Sequence, residues 1–218
     1  MNDSTRLYDA FNSAMLLLPK PKDSINPQIY HKMKLTPFSE RLPYLELISF
    51  AKNWFEWNVG ISSWQFGEKQ TTMNMPFGKD SARVAAIICI ESIFPDFVRN
   101  FANGGSNLYT IITNDAWFDH TPGPRQHYYI ACMRAIESRR FIARCTNTGV
   151  SGFIQPNGQS LFELEQYKSI GAAAKLPLME EKTFYVAHGD IIPKLAVLLI
   201  FMFFIYSIIP SKKIRANK

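Results

Sequence analysis

Cysteine is scarce in this chain, and its three copies, Cys89, Cys132 and Cys145, form no CxxC pair and no Cys/His ligand spacing. That excludes a disulfide framework and a structural zinc site, and an odd count leaves at least one thiol free. Charge is sparse as well: 19% of the 218 residues are charged, against 47% hydrophobic and 14% aromatic. Such a chain buries a core rather than staying disordered. Acid is missing from the last eight residues, where Lys212, Lys213, Arg215 and Lys218 account for four of the net charge of +6. The body is therefore nearly neutral and lacks the basic surface that nucleic-acid binding needs. Repeats and low-complexity tracts are absent too. Residues 1–9 have no signal-peptide hydrophobic core, and the one short apolar run near them is 14–18. Nothing of that kind carries the domain across a membrane, so either it stays inside or the chain is the last part of something longer.

One long apolar run stands against these absences. From Leu195 to Ile209 there is no charge, and with Ile191 and Ile192 the stretch approaches the roughly 20 residues that span a bilayer. Lys194 sits one turn inside its edge, where its stem can reach the headgroups. A buried core helix is the alternative, but the basic flank points to a spanning helix with a cytoplasmic C-terminus. The expected division is a domain over 1–190, a transmembrane helix over 191–210 and a basic cytoplasmic tail over 211–218.

Within the domain, 6–18 reads as a strand ending at a Pro-Lys-Pro turn, and 44–57 as an amphipathic helix. Residues 83–89 form a short continuous apolar run, the mark of a strand buried on both faces. A helix over 94–103 closes at Gly104–Gly105, and a strand follows over 107–113. The next helix, 124–140, places Ile130, Met133 and Ile136 near one face. Strands over 141–146 and 150–155 end at the Pro156-Asn157-Gly158 turn. Strand and helix in alternation predict an α/β layered fold with a buried sheet.

Cys89 ends the apolar strand where a helix is expected to begin. Such a corner lifts a side chain out of the sheet and aims helix amides at it, which favours a thiolate. The segment from Tyr30 through Lys32 and Lys34 to Glu40 adds two lysines and a carboxylate among Pro37 and Phe38. A lysine beside a cysteine stabilises the thiolate and the oxyanion of a tetrahedral intermediate. Taken alone, a buried cysteine is an inert small hydrophobe and a basic segment is a solvated loop.

These residues resemble a known family. Tyr30-His-Lys32-x-Lys-Leu-x-Pro37-Phe-x-Glu40 is similar to the lysine segment of the nitrilase superfamily, in its apolipoprotein N-acyltransferase form. Cys89-Ile-Glu91-Ser-Ile-Phe-Pro-Asp resembles its nucleophile segment. Asn114-Asp115-Ala-Trp117-Phe118, Gly123-Pro-x-Gln126-His127, Arg134-Ala-Ile-Glu137 and Arg144-x-x-Asn147-x-Gly149 follow in the family's order. The resemblance implies a partial nitrilase-like αββα sandwich, without its N-terminal strands, followed by one transmembrane helix. It also implies a ping-pong acyl transfer with no cofactor and no metal. Cys89 would take an acyl chain from a membrane phospholipid as a thioester. The amine of a diacylglyceryl-modified N-terminal cysteine on an apolipoprotein would then accept it. Lys32 maps onto the catalytic lysine, with Lys34 on a merely polar position. Glu40 and Glu91 map onto two further acids of the site. The implied location is the bacterial inner membrane, with the domain on the periplasmic side.

His127 invites a Cys–His pairing, but the family has no base there and it reads as structural. Cys132 and Cys145 read as core. Residues 50–79, with Trp54, Phe55, Trp57, Trp64 and Phe66, read as mobile lids over a membrane-facing site. One departure matters: the superfamily's general-base glutamate sits in a Pro-Glu context upstream of the lysine, whereas the first glutamate here is Glu40. The chain therefore resembles a C-terminal portion whose own acyltransferase activity is impaired. The competing readings are an amidase of the same superfamily and a catalytically dead membrane-associated remnant.

Overall fold

The computed structural model describes residues 9–18, 27–41 and 64–208. Its centre is a six-stranded sheet in the order β3-β4-β5-β6-β7-β8, formed by Met73–Phe77, Asp80–Ile88, Leu108–Thr113, Ile142–Thr146, Gly152–Ile154 and Ser160–Glu163. The middle pairs, β4 with β5 and β5 with β6, are parallel, and the outer ones are antiparallel. Two helices, α1 (Pro95–Asn103) and α2 (Gly123–Ser138), make the crossovers. Because β4, β5 and β6 step in one direction, right-handed crossovers put both helices on one face. A short helix, α3 (Phe184–His188), packs against both.

Alternation along the strands explains the two faces. Ala85, Ile87, Tyr109, Ile111 and Ile142 share the helix side and are completely buried with Val98, Phe101, Ala131 and Ala135. The Tyr109 hydroxyl donates to the Val98 carbonyl of α1 (3.2 Å), pinning helix to sheet. On the opposite face Val84, Ala86, Ile112 and Cys145 border a cavity of about 500 Å³. The two-stranded sheet of β1 (Ser13–Leu16) and β2 (Gln28–His31) closes part of that cavity through Ala14, Met15 and Leu16. Its position is fixed by Gln28, whose side chain exchanges hydrogen bonds with the backbone of Asn74 in β3 (2.6 and 2.7 Å). The expected α/β layering is present, as helices, a six-stranded sheet and a two-stranded sheet.

Several expectations change. The strand read over 6–18 is only Ser13–Leu16 where described, because Ala10 leaves β2 and bridges Trp64 instead. The helix 44–57 and the aromatic residues Trp54, Phe55 and Trp57 lie outside the described residues. Of the stretch 50–79 expected to form lids, Met73–Phe77 is an edge strand paired along its length with β4, not a lid. On α2, Met133 and Ile136 are exposed rather than packed. The buried face is Pro124, His127, Tyr128, Ala131, Arg134, Ala135 and Ser138, a polar and small-residue stripe that hydropathy does not mark. Cys145 is exposed, since it points to the cavity side of β6, and Cys132 is half-buried.

The last helix, α4 (Ile191–Ile208), has a mean hydropathy of 2.4 and no residue buried against the described protein. At 1.5 Å per residue its 18 residues reach about 27 Å, close to the hydrocarbon thickness of a bilayer. By length and composition it can cross a membrane.

Candidate active site

β4 stops at Ile88, and Cys89 adopts φ +52, a left-handed conformation that a non-glycine residue holds only under constraint. The constraint is local. Cys89 opens a 3₁₀ turn, Cys89–Ile93, in which the buried Glu91 accepts the Ile88 N–H through Oε2 (2.8 Å). Ser92 donates its hydroxyl to the Cys89 carbonyl (2.9 Å). The backbone is thus held at Ile88, before the thiol, and at the Cys89 carbonyl. One expectation needs correction here: α1 begins only at Pro95, so the amides nearest Cys89 belong to the 3₁₀ turn and not to an α-helix.

Lys32 follows directly on β2 and is 1% exposed. Its Nζ donates to Glu40 Oε2 at 2.6 Å and lies 3.4 Å from Thr36 Oγ1. Glu40 also accepts the Thr36 N–H (2.7 Å) and the Asn12 side-chain amide (2.8 Å). The turn that returns Glu40 to Lys32 is closed by a Pro37–Arg41 bridge and carries Phe38 at φ +63. Lys34 is exposed and lies over the rings of Phe94 and Phe97, away from this pair.

Glu91 joins the two halves. Its Oε1 accepts the Tyr30 hydroxyl (2.7 Å) and the N–H groups of Met33 (2.7 Å) and Lys34 (3.2 Å). One fully buried carboxylate therefore holds both the residue before Cys89 and the two residues after Lys32. Burial pushes its carboxyl up, and the donors from Ile88, Tyr30, Met33 and Lys34 only partly oppose this. Burial and the neighbouring Glu91 also push the Tyr30 phenol upward, so it stays a donor.

A second buried network lies on the α2 side. Asp115 Oδ1 faces His127 Nδ1 (2.9 Å), and its Oδ2 accepts from Arg144 Nη2 (2.8 Å). His127 Nε2 lies 2.8 Å from Ser92 Oγ. Both ring nitrogens of His127 are occupied, which agrees with its structural reading. The cavity beyond the sheet is lined by neither Cys89 nor Lys32. Among the described residues no group of three or more His, Cys, Asp or Glu side chains is placed to hold a metal.

Glu40 and Asp115 have opposite pH signatures to Glu91. Burial pushes both upward, but Lys32, Thr36 and Asn12 bring Glu40 below its usual range, and His127 and Arg144 do the same for Asp115. A depressed carboxylate stabilises the fold fully above its unfolded pKa of about 4, and that contribution is lost as pH falls through the folded value. The urea midpoint is therefore expected to drop steeply below pH about 4, and Glu40→Gln to flatten that drop. An unchanged acid limb in Glu40→Gln would contradict the pairing.

All four residues singled out in the sequence, Cys89, Lys32, Glu40 and Glu91, meet in this region. Sequence reading assigned no role to Tyr30, Ser92, Asp115 or Arg144, although each lies in a quoted motif. Asn12, which holds Glu40 from 28 residues away, carries no sequence signal at all.

Known proteins bear on this geometry. The carbon-nitrogen hydrolase family model matches residues 2–186. Over 188 residues the chain is 42% identical to the apolipoprotein N-acyltransferase of Chlorobaculum tepidum, which covers 85% of this chain and 34% of that protein. Over 195 residues it is 34% identical to the apolipoprotein N-acyltransferase of Shewanella oneidensis, covering 86% of this chain and 37% of that protein. The chain thus spans about a third of the length of these curated relatives. Among solved structures, a mutant of the amidase from Nesterenkonia sp. AN1 aligns over 79% of this chain and 57% of that one, at 20% identity and a TM-score of 0.46. The motif string around Lys32 and Cys89 and the match over residues 2–186 agree: the chain belongs to the carbon-nitrogen hydrolase family, and its curated relatives are named apolipoprotein N-acyltransferases.

Proposed function

We propose that this chain carries the acyl-transfer site of an apolipoprotein N-acyltransferase, with Cys89 as nucleophile. In the first half-reaction the Cys89 thiolate attacks the ester carbonyl of a phospholipid. The carbonyl–oxygen bond breaks, a thioester forms, and the lysophospholipid leaves with a proton on its new hydroxyl. In the second, the amine of a diacylglyceryl apolipoprotein attacks the thioester. The carbonyl–sulfur bond breaks, an amide forms, and the thiol takes back a proton.

The observation that carries this reading is the double grip of Glu91, which ties the Lys32 segment to the Cys89 turn through four donors. Lys32 then supplies positive charge for the thiolate and the oxyanion. Glu40 holds Lys32 in place, and Glu91 positions the Lys32 and Cys89 segments together. Neither glutamate is free to take the thiol's proton, since each is committed to several donors. The 218-residue chain alone is therefore expected to turn over slowly. The similarity to the acyltransferases and the exposed apolar α4 support a membrane setting. In this reading residues 191–210 span the bacterial inner membrane, 211–218 lie in the cytoplasm, and the domain over 1–190 faces the periplasm.

The test is a single-turnover trap. The chain is incubated with vesicles of phosphatidylethanolamine labelled in its acyl chain, at pH about 9 so that the thiol ionises without a base. The expected result is label released by hydroxylamine and mapped to the Cys89 peptide, with an equal amount of lysophospholipid. Release of ammonia from simple amides with no label on Cys89 would overturn the reading in favour of an amidase. The absence of both would leave only a binding remnant and overturn it equally.

A further inference from the structure

Beneath Cys89 runs a buried chain of polar groups that the acyl-transfer steps do not use. It begins at Ser92, fully buried, whose hydroxyl donates to the Cys89 carbonyl. A carbonyl only accepts, so the single hydroxyl proton of Ser92 is committed there. His127 Nε2 lies 2.8 Å from the same oxygen. On the other side of the ring, Nδ1 meets Asp115 Oδ1, a carboxylate that also accepts from Thr113 Oγ1 (3.0 Å) and from Arg144.

Arg144 and Asp115 have fully buried side chains and are paired with each other, which keeps the carboxylate ionised. Nδ1 is therefore the donor in its contact with Asp115. Both ring nitrogens of His127 are thus engaged, one by Asp115 and the other by Ser92. The far end is anchored: Arg144 Nε donates to the Val150 carbonyl (3.1 Å), and the Asp115 N–H to Asn147 Oδ1 (3.1 Å). Gly149 leaves the room Asp115 needs, because a Cβ there would collide with its carboxylate. The ring edge packs on Phe118 at 6.4 Å. Among the other titratable groups on the elements packed here are Cys89 and Glu91 on the turn and Cys132, Arg134 and Glu137 on α2; both thiols lie within Coulomb range of Arg144.

We propose that His127 is a positioning residue: held by Asp115, which Arg144 holds in turn, it fixes Ser92, and Ser92 fixes the left-handed backbone that presents Cys89. This rests on the reading of Cys89 as nucleophile. It assigns His127 no base role, since its ring nitrogens are engaged by Asp115 and Ser92.

Two substitutions separate the ends of the ring. Glutamine puts an amide nitrogen near the Nε2 position and keeps a donor for Ser92; asparagine puts one near Nδ1 and keeps the Asp115 contact alone. The full chain in detergent micelles is alkylated with iodoacetamide, and each cysteine is followed by peptide mass spectrometry. His127→Asn and Ser92→Ala are expected to slow Cys89 alkylation by about tenfold, whereas His127→Gln stays within about threefold of wild type. The Cys132 rate serves as the internal reference. Should His127→Asn melt below the assay temperature, Ser92→Ala decides. Equal Cys89 rates in the wild type, Ser92→Ala and His127→Asn would overturn the proposal. If wild-type Cys89 takes no acyl chain in the vesicle trap, the function reading fails instead, and the alkylation comparison still stands on its own.

Discussion

Cys89→Ser is expected to abolish acyl labelling, with a loss of at least about a thousandfold against wild type and no loss of fold. The size follows from chemistry. A thiol with an ordinary pKa near 8.5 is partly ionised in mildly alkaline solution, whereas a serine hydroxyl is not and needs a strong base to attack an ester. Neither Glu40 nor Glu91 is available as that base, because each already accepts several hydrogen bonds. The backbone tolerates the change: serine differs by one atom, and the positive φ is held by Glu91 and Ser92 rather than by the sulfur. Cys132 and Cys145 serve as controls in the same sample. Burial raises the Cys132 thiol, and Cys145 faces the cavity side of β6, so neither is expected to take label. Label on either cysteine in Cys89→Ser, at the wild-type rate, would remove Cys89 from the mechanism.

The sheet and its two crossovers were legible because their signals are local. The run 84–88 is apolar on both faces, as a central strand between parallel neighbours must be, and Gly104–Gly105 stop α1 where the pattern ends. Lys32 and Glu40 were legible through the motif, and their turn spans only eight residues. The failures are of two physical kinds. The buried face of α2 is chosen by hydrogen bonds to Ser92 and Asp115 rather than by hydropathy, so Met133 and Ile136 drew the eye to the exposed face. The roles of Tyr30, Ser92 and Arg144 come from contacts across 29 to 61 residues of chain, which no spacing rule reaches. Glu91 is the instructive intermediate: its position was plain, but its purpose depends on donors from two separate segments. A buried carboxylate without a cation beside it is costly, and its four donors explain how the fold sustains it.

Lys32→Met is expected to reduce acylation of Cys89 by about a hundredfold to a thousandfold, the usual loss for one oxyanion-stabilising donor. It is also expected to destabilise the domain by about 3 kcal/mol, because removing one partner of a buried ion pair strands the other. The low end of that range applies here, since Glu40 keeps the Thr36 N–H and the Asn12 amide and is 15% exposed. Lys32→Arg does not repair the loss: Lys32 is 1% exposed, and the bulkier guanidinium has to displace Thr36 or Glu40. The two effects come apart in a double substitution. Lys32→Met with Glu40→Gln removes both charges at once, so most of the stability is expected to return, while acylation stays as low as in Lys32→Met alone. Thermal melting and the vesicle trap, run on the same preparations, measure the two quantities. Recovery of acylation together with stability would mean that Lys32 serves only to hold the turn of residues 32–41, and that the charge facing Cys89 comes from the Arg144 side.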